Sequence, residues 1–278
     1  MSGMAWVNGR FVDPLKPSLG VQERGFIFGD GLFETIRLRE GQPLYWQEHL
    51  ARLRNGCSVL NINFPLTEIR TGVWETSARI KNGVLRLTVT RGAFPGRGLL
   101  PPQNGKPTVA ITGYPGEPYP EQSYKKVFRA CLISFPRSHL SPLVKLKSLN
   151  FLENLLGKME AAAAGADEGI FCNYQGEIAE GTTSNIFVVI KGELVTPPPE
   201  CGLLPGIMRA QVLSLAERLG VNAAQGKICP QDFCRAEEAF LTSSLLEVMP
   251  LVSVNGNPIG RGSPGPVTEM LRQELKNI

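Results

Sequence analysis

The stretch Val144-Lys145-Leu146-Lys147-Ser148-Leu149-Asn150-Phe151-Leu152 sets two lysines, two residues apart, among mostly apolar neighbours. The apolar residues predict an extended, partly buried segment. Burial disfavours the charged ammonium, so it lowers the pKa of a lysine and frees the amine to attack a carbonyl group. Either lysine is therefore a candidate for a Schiff base with a carbonyl cofactor, although a lysine pair at a strand edge more commonly extends into solvent.

Five further blocks share the chain with this stretch. They are residues 28–37 (FGDGLFETIR), 49–53 (HLARL), 177–187 (EIAEGTTSNIF), 202–209 (GLLPGIMR) and 240–250 (FLTSSLLEVMP). In this order the blocks resemble the class IV aminotransferase family, which contains branched-chain aminotransferases, D-amino-acid aminotransferases and 4-amino-4-deoxychorismate lyases. The resemblance covers nearly the whole chain, and the blocks are specific together although each one alone is weak.

The resemblance implies an enzyme that carries pyridoxal 5'-phosphate. Lys147, three residues before Asn150, matches the lysine that forms the Schiff base, and Lys145 fits the motif less well. Glu180 matches the carboxylate that faces the pyridine nitrogen and keeps it protonated, so that the ring can accept electrons. Without the motif, a glutamate beside Gly181 is more commonly a turn residue.

Three features match the family's phosphate site. Ile207 and Met208 begin a predicted helix, whose free backbone N–H groups and dipole favour an anion. Arg52 and Ser244 would add a guanidinium and a hydroxyl. Taken alone, the same residues are a plain helix start, a solvated arginine and a polar turn.

The reaction is predicted from fewer residues. Thr35 stands where branched-chain members typically have glycine, and a threonine there resembles the lyases, in which its hydroxyl could help to move a proton. Met208 is also similar to lyase sequences. D-amino-acid aminotransferases have a tyrosine at Phe33 and a histidine near Gly98, and both are missing here. We expect a 4-amino-4-deoxychorismate lyase in folate biosynthesis, with a class IV aminotransferase acting on branched-chain or D-amino acids as the alternative.

Arg97, in the loop 91–98, is the expected partner of a substrate carboxylate, since its planar guanidinium suits paired hydrogen bonds. A solvated loop arginine is nearly as common. Two other classes stay open: a cofactor-binding protein without turnover and a plain α/β interaction domain.

Composition excludes several other classes. The net charge of +4 is spread along the chain, which does not favour nucleic acid, and the expected partner is a small amino substrate. No apolar run is long enough to cross a membrane, and no signal peptide is recognised, so a cytoplasmic location with reduced cysteines is expected. Cys229 and Cys234 lack the further ligands of a tetrahedral site, and no metal is expected.

Periodicity and turn signals predict a mixed α/β chain. An Asn-Gly hairpin is expected at residues 5–12, a strand at 84–90, and helices at 47–60, 151–164 and 207–219. The Pro- and Gly-rich residues 113–121 predict a linker. We therefore expect a smaller N-terminal α/β domain (1–118) and a larger C-terminal α/β domain (119–278). The resemblance implies fold type IV, with the cofactor in the cleft between these domains, and a homodimer.

Overall fold

The structure is a computed structural model, and it describes residues 3–16, 18–96, 98–101, 105–125 and 127–276. Helices and strands are mixed throughout, which confirms the predicted α/β class. Within the described part of the chain, no helix is both long enough and apolar enough to cross a lipid bilayer.

The chain forms two compact units. The first consists of Met1–Pro118 with Leu146–Asn150, and the second of Tyr119–Lys145 with Phe151–Ile278. The predicted domains, 1–118 and 119–278, differ from these units in one segment, because the residues around Lys147 group with the first unit.

An antiparallel sheet forms the centre of the first unit. Its strands, among the described residues, are β1 (Met4–Val7), β2 (Arg10–Val12), β3 (Gly31–Arg39), β4 (Gln42–Pro43), β5 (Gly83–Thr90) and β6 (Thr108–Pro115). They lie in the order β2-β1-β6-β5-β3-β4. The helices of this unit are α1 (Arg24–Phe28), α2 (Trp46–Val59) and α3 (Leu66–Ile80).

The first two strands form the predicted hairpin. Val7 pairs with Arg10 across the turn, and the two turn residues, Asn8 and Gly9, have φ angles of 46° and 97°. Positive φ at both central positions is what a tight hairpin turn requires, and Asn-Gly meets this requirement at little cost. The hairpin prediction is confirmed.

Strand β3 has two chemically different faces. Leu32, Ile36 and Leu38 belong to the buried core, together with apolar residues of α2 and α3. Because side chains alternate along a strand, Phe33 and Thr35 lie on the opposite face. The core packing thus leaves one face of the sheet available for other contacts.

The lysine segment differs from its prediction. It is not one continuous strand: Pro142–Lys145 form a 3-10 turn, and only a single isolated bridge, Ser148 with Leu32, follows it. Lys145 is exposed and Lys147 is partly buried. The proline at position 142 favours the turn because its fixed φ suits a helical start.

A nine-stranded mixed sheet forms the centre of the second unit. Its strands, among the described residues, are β7 (Phe128–Leu132), β8 (Glu168–Cys172), β9 (Ile178–Gly181), β10 (Asn185–Ile190), β11 (Glu193–Thr196), β12 (Ala223–Gln225), β13 (Glu238–Ser243), β14 (Glu247–Val254) and β15 (Asn257–Pro258). The order is β12-β11-β10-β13-β14-β7-β8-β9, and β15 pairs with β14. The helices are α4 (Glu121–Lys125), α5 (Leu152–Ala163), α6 (Ile207–Arg218), α7 (Pro230–Cys234) and α8 (Pro266–Lys276).

Two of these helices end where the sequence predicts. Gly165 follows α5 and Gly220 follows α6, with φ angles of 68° and 69°. Glycine adopts this left-handed conformation without the steric penalty of a side chain, and so terminates a helix. The predicted linker is shorter than expected, because β6 continues to Pro115 and α4 begins at Glu121.

Candidate active site

Backbone hydrogen bonds attach Lys147 to strand β3 within the first unit. The Phe33 nitrogen donates to the Lys147 oxygen at 2.9 Å, and the Leu149 nitrogen donates to the Gly31 oxygen at 3.0 Å. The side-chain amide of Asn150 donates to the oxygen of Gly29 at 3.1 Å. The residues between Lys147 and Asn150 therefore act as a short additional strand, and the position of Lys147 is fixed by β3.

The Phe33 ring lies between this segment and strand β5. The Lys147 ammonium is 4.5 Å from the ring centroid, and the Arg86 guanidinium is 3.9 Å from it. Arg86 pairs with Thr35 across the strands, so its side chain shares a face with Thr35 and Phe33. Burial lowers the pKa of Arg86 from its ordinary value. Sequence reasoning missed Arg86, although an arginine in the otherwise apolar part of a predicted strand was a usable signal.

Arg52 is held in place by a buried carboxylate. The Arg52 Nε donates to Glu34 Oε1 at 2.8 Å, and Nη2 donates to Oε2 at 2.6 Å. The His49 Nδ1 lies 2.6 Å from the same Oε2. Burial alone would raise the pKa of Glu34, but the hydrogen bonds and charge of Arg52, with His49, lower it to about 2. Glu34 and His49 therefore fix the direction of the Arg52 guanidinium.

Glu180 is the central residue of the corresponding group in the second unit. Its carboxylate accepts hydrogen bonds from the Arg137 guanidinium, from Asn185 Nδ2 at 3.2 Å and from the Leu204 nitrogen at 3.1 Å. The Arg137 Nε also donates to Glu153 at 2.9 Å. Glu180 is only 6% exposed, and this set of donors compensates the burial of its charge. Arg137 was missed in the sequence, where nothing linked it to Glu180.

Helix α6 begins without a capping side chain. Gly206 is its N-cap residue and makes no side-chain hydrogen bond, so the first backbone N–H groups of the helix lack a capping partner of that kind. A Cβ atom at Gly206 would lie 1.9 Å from Asn185 Oδ1, which explains the glycine. The side chains of Ile207 and Met208 are buried, and they would contribute N–H groups to an anion.

Two hydroxyl residues stand at the end of β13. Thr242 is 1% exposed, and its Oγ1 has no hydrogen-bond partner among the described residues. Thr242 pairs directly with Asn185, the residue that contacts Glu180. Ser244 follows β13 and is partly buried. An unpaired buried hydroxyl is costly, so it favours a ligand at this position.

These donors fit the predicted cofactor. Lys147 supplies an amine for the aldehyde, and Glu180 a carboxylate for the pyridine nitrogen. Arg52, the start of α6, and the hydroxyls near Ser244 supply the cationic and N–H groups that phosphate requires. Nothing in the two sets suits a metal instead, and the described residues contain no cluster of three His, Cys, Asp or Glu side chains that could hold one.

Two sequence predictions have a different outcome. Arg97 lies outside the described residues, so its role stays a prediction. The neighbouring backbone is held by Arg24, which donates to the oxygens of Gly98 and Leu99 at 3.2 and 2.8 Å. Cys229 caps α7 locally, accepting from the Asp232 nitrogen at 3.4 Å.

Comparisons with known proteins agree with this geometry. The family model for amino-transferase class IV matches residues 31–254. A Methanocaldococcus jannaschii protein, provisionally named a branched-chain-amino-acid aminotransferase, is 34% identical over 98% of this chain and 95% of its own. The D-alanine aminotransferase of Bacillus licheniformis is 32% identical over 97% of this chain and 95% of its own. The crystal structure of 4-amino-4-deoxychorismate lyase from Pseudomonas aeruginosa has a TM-score of 0.88, with 33% identity and 98% coverage of both chains.

The similar identities of these three proteins do not separate one reaction from another. They do agree on the architecture and on the cofactor chemistry. The predictions of fold type IV and of pyridoxal 5'-phosphate are confirmed. The match over residues 31–254 spans most of the sequence, and the chain belongs to the class IV aminotransferase family.

Proposed function

We propose that this protein is a 4-amino-4-deoxychorismate lyase, which releases pyruvate and leaves 4-aminobenzoate. The observation that carries the proposal is the position of Thr35. It shares a face of β3 with Phe33, whose ring contacts the Lys147 ammonium at 4.5 Å. A hydroxyl at this position suits a reaction that must move a proton at two places on one substrate.

The lyase reaction balances without water or a second substrate. The ring carbon that bears the amino group loses a proton, and the carbon–oxygen bond to the enolpyruvyl group breaks. The departing group gains a proton on its methylene carbon and leaves as pyruvate, while the ring becomes aromatic. Bound pyridoxal phosphate supplies a sink for the electrons released at the amino-bearing carbon.

We assign the proton transfers to two residues of the first unit. Lys147, once its amine is free, removes the proton from the amino-bearing carbon. Thr35 relays a proton toward the leaving group through its hydroxyl. Since β3 fixes both residues, their separation does not depend on a mobile loop.

The other predicted residues hold the cofactor in this proposal. Arg52, the N–H groups of Ile207 and Met208, and the Ser244 hydroxyl bind the phosphate. Glu180 accepts from the protonated pyridine nitrogen. The two acceptor oxygens of Glu180 are kept in place by Arg137 and Asn185.

Substrate carboxylates require a cationic partner. Arg86 is partly buried and lies on the same face as Thr35, so we assign it to a carboxylate of the substrate. Arg97 remains a second candidate for this role.

The alternative is a class IV aminotransferase that acts on branched-chain or D-amino acids. Two relatives support it by name, at 34% and 32% identity. Arg86 would suit the carboxylate of an amino acid equally well. Phe33, at the position of the tyrosine of D-amino-acid aminotransferases, argues against the D-specific form.

We also propose a homodimer. Helix α5 carries an exposed apolar stripe formed by Leu152, Leu155, Leu156 and Met159, which are 52 to 72% exposed. The i, i+3, i+4, i+7 spacing places them on one side of the helix. Such a stripe is typical of a surface that another chain covers. With lyase activity, the protein would act in folate biosynthesis in the cytoplasm.

The first experiment measures pyruvate release from enzymatically generated aminodeoxychorismate, without any keto acid. A parallel assay tests transamination of branched-chain and D-amino acids. Stoichiometric pyruvate and 4-aminobenzoate support the lyase. Turnover only in the presence of a keto acid overturns the lyase assignment and favours the aminotransferase, with Lys147 and Glu180 in the same roles.

A further inference from the structure

Glu168, on strand β8, is a buried carboxylate outside the site described above. It is 1% exposed, yet it accepts hydrogen bonds from several donors. These donors are the Thr182 hydroxyl, the Thr183 hydroxyl at 3.1 Å, the Ser184 hydroxyl at 3.0 Å, the Gly169 nitrogen at 3.0 Å and the Lys158 ammonium at 3.4 Å. Three successive hydroxyl residues thus converge on one side chain.

This arrangement restricts the backbone that carries the hydroxyls. A buried carboxylate loses much more free energy than a neutral group when its hydrogen bonds are absent. Each hydroxyl of Thr182, Thr183 and Ser184 must therefore stay directed at Glu168, because charge-assisted hydrogen bonds are strong and directional. The turn between β9 and β10 has one favourable conformation.

The two ends of that turn are functional residues in the proposed site. Glu180 precedes Gly181 at the end of β9, and Asn185 is the first residue of β10. The Gly181 nitrogen donates to the Ser184 oxygen at 2.7 Å and closes the turn. A Cβ at Gly181 would lie 2.3 Å from Ser184 Oγ, so the turn admits only glycine there. Fixing the turn fixes the 3.2 Å contact between Glu180 and Asn185.

We propose that Glu168 is a positioning residue for the pyridine-facing carboxylate, acting through the hydroxyls of the 182–184 turn. The inference rests on the proposed role of Glu180 as partner of the ring nitrogen. Glu168 itself touches neither Glu180 nor the cofactor in this proposal. Its effect is to hold the Glu180 carboxylate in the orientation that a protonated ring nitrogen requires.

The test compares Glu168→Gln with Glu238→Gln in the full-length protein. Glu238 is a matched control in the same unit: it is 7% exposed and accepts from the Val267 nitrogen, the Thr268 nitrogen and the Thr268 hydroxyl. Each variant is stripped of cofactor and titrated with pyridoxal phosphate. Affinity and the visible circular dichroism of the bound cofactor are measured, and thermal unfolding is recorded separately.

Both variants should lose stability, but only Glu168→Gln should weaken cofactor binding, by roughly tenfold or more, and alter the visible circular dichroism. The pair Thr182→Val and Thr182→Ser provides a milder test, should Glu168→Gln fail to fold. Thr182→Val removes the hydroxyl at constant shape and should weaken binding, whereas Thr182→Ser keeps the hydroxyl and should restore both affinity and spectrum.

Normal affinity and spectrum in both Glu168→Gln and Thr182→Val would overturn the inference, as would equal losses in Glu238→Gln. Glu180→Gln serves as the reference variant. If it also leaves affinity and spectrum unchanged, the role of Glu180 is wrong and the inference falls with it. A clear effect in Glu180→Gln alone refutes only the positioning by Glu168. The titration needs no turnover, so its result is independent of whether the enzyme is a lyase or an aminotransferase.

Discussion

The backbone oxygen of Lys147 accepts a hydrogen bond from the backbone nitrogen of Phe33 at 2.9 Å. This bond sets the register between the lysine segment and β3, with Ser148 opposite Leu32. A shift of one residue would turn the Lys147 side chain away from the Phe33 ring, because successive side chains of an extended segment point in opposite directions. Lys145 precedes the paired residues and is exposed, so the same contacts do not hold it.

The two lysines should therefore behave differently. Lys147→Ala should abolish covalent attachment of pyridoxal phosphate, while Lys145→Ala should leave it intact. Borohydride reduction followed by peptide mass spectrometry locates the modified lysine. Attachment that survives Lys147→Ala and is lost in Lys145→Ala would show that the register is wrong.

Removal of the Glu34 carboxylate should destabilise the first unit and change its acid sensitivity. Breaking a buried ion pair costs roughly 3 to 5 kcal/mol, and Glu34→Gln should lower the free energy of unfolding by about that amount at neutral pH. The pKa of Glu34 is about 2, below its ordinary 4.5, so the folded state binds the proton less tightly than the unfolded state. Its contribution is present above pH 4.5 and is lost as the pH falls toward 2.

Denaturant unfolding between neutral and acid pH measures this effect, and Glu34→Gln should lack that part of the pH dependence. Glu117→Gln is the control. It removes a similar ion pair, Glu117 with Arg37 at 2.6 Å, but the Glu117 side chain is 49% exposed. Exposed pairs contribute less than about 1 kcal/mol. Equal losses in the two variants would contradict the prediction.

Gly206→Ala should disturb the start of α6. The new Cβ would lie 1.9 Å from Asn185 Oδ1, so Asn185 must move away from Glu180 and from the Leu204 oxygen. We expect a loss of about 1 to 3 kcal/mol in stability and weaker cofactor binding. Gly20→Ala, where a Cβ meets nothing within 4 Å, should change neither quantity. Unchanged cofactor affinity in Gly206→Ala would argue against a site at this helix start.

Thr35 should affect the chemical step more than binding. Thr35→Val keeps the shape of the side chain but removes the hydroxyl, and pyruvate release should fall by roughly a hundredfold. Thr35→Ser should keep most of the rate. Initial rates with enzymatically generated substrate measure both variants. A Thr35→Val enzyme with the wild-type rate would remove the main support for the lyase proposal.

The apolar stripe of α5 should be covered in solution. Leu156→Glu places a charge at its centre and should convert a dimer into monomers, as measured by light scattering after size-exclusion chromatography. Val59→Glu alters a residue on α2 that is 62% exposed, and it should leave the mass unchanged. A wild-type protein that is monomeric at all concentrations would refute the dimer.

Local signals determined much of the fold. The Asn8-Gly9 hairpin and the ends of α5 and α6 depend on backbone conformations that only a few residues adopt, so the sequence alone predicts them. The motif around Lys147 and Asn150 likewise identified the family before any geometry was known.

Only the tertiary structure decided which residues meet. Arg52 pairs with Glu34, 18 residues away, and Arg137 with Glu180, 43 residues away. The lysine segment leaves the second half of the chain to pair with β3. Such contacts depend on strand order and on the burial of charged groups, which composition and periodicity do not encode, because each pairing is stabilised only when both partners are brought together and removed from water.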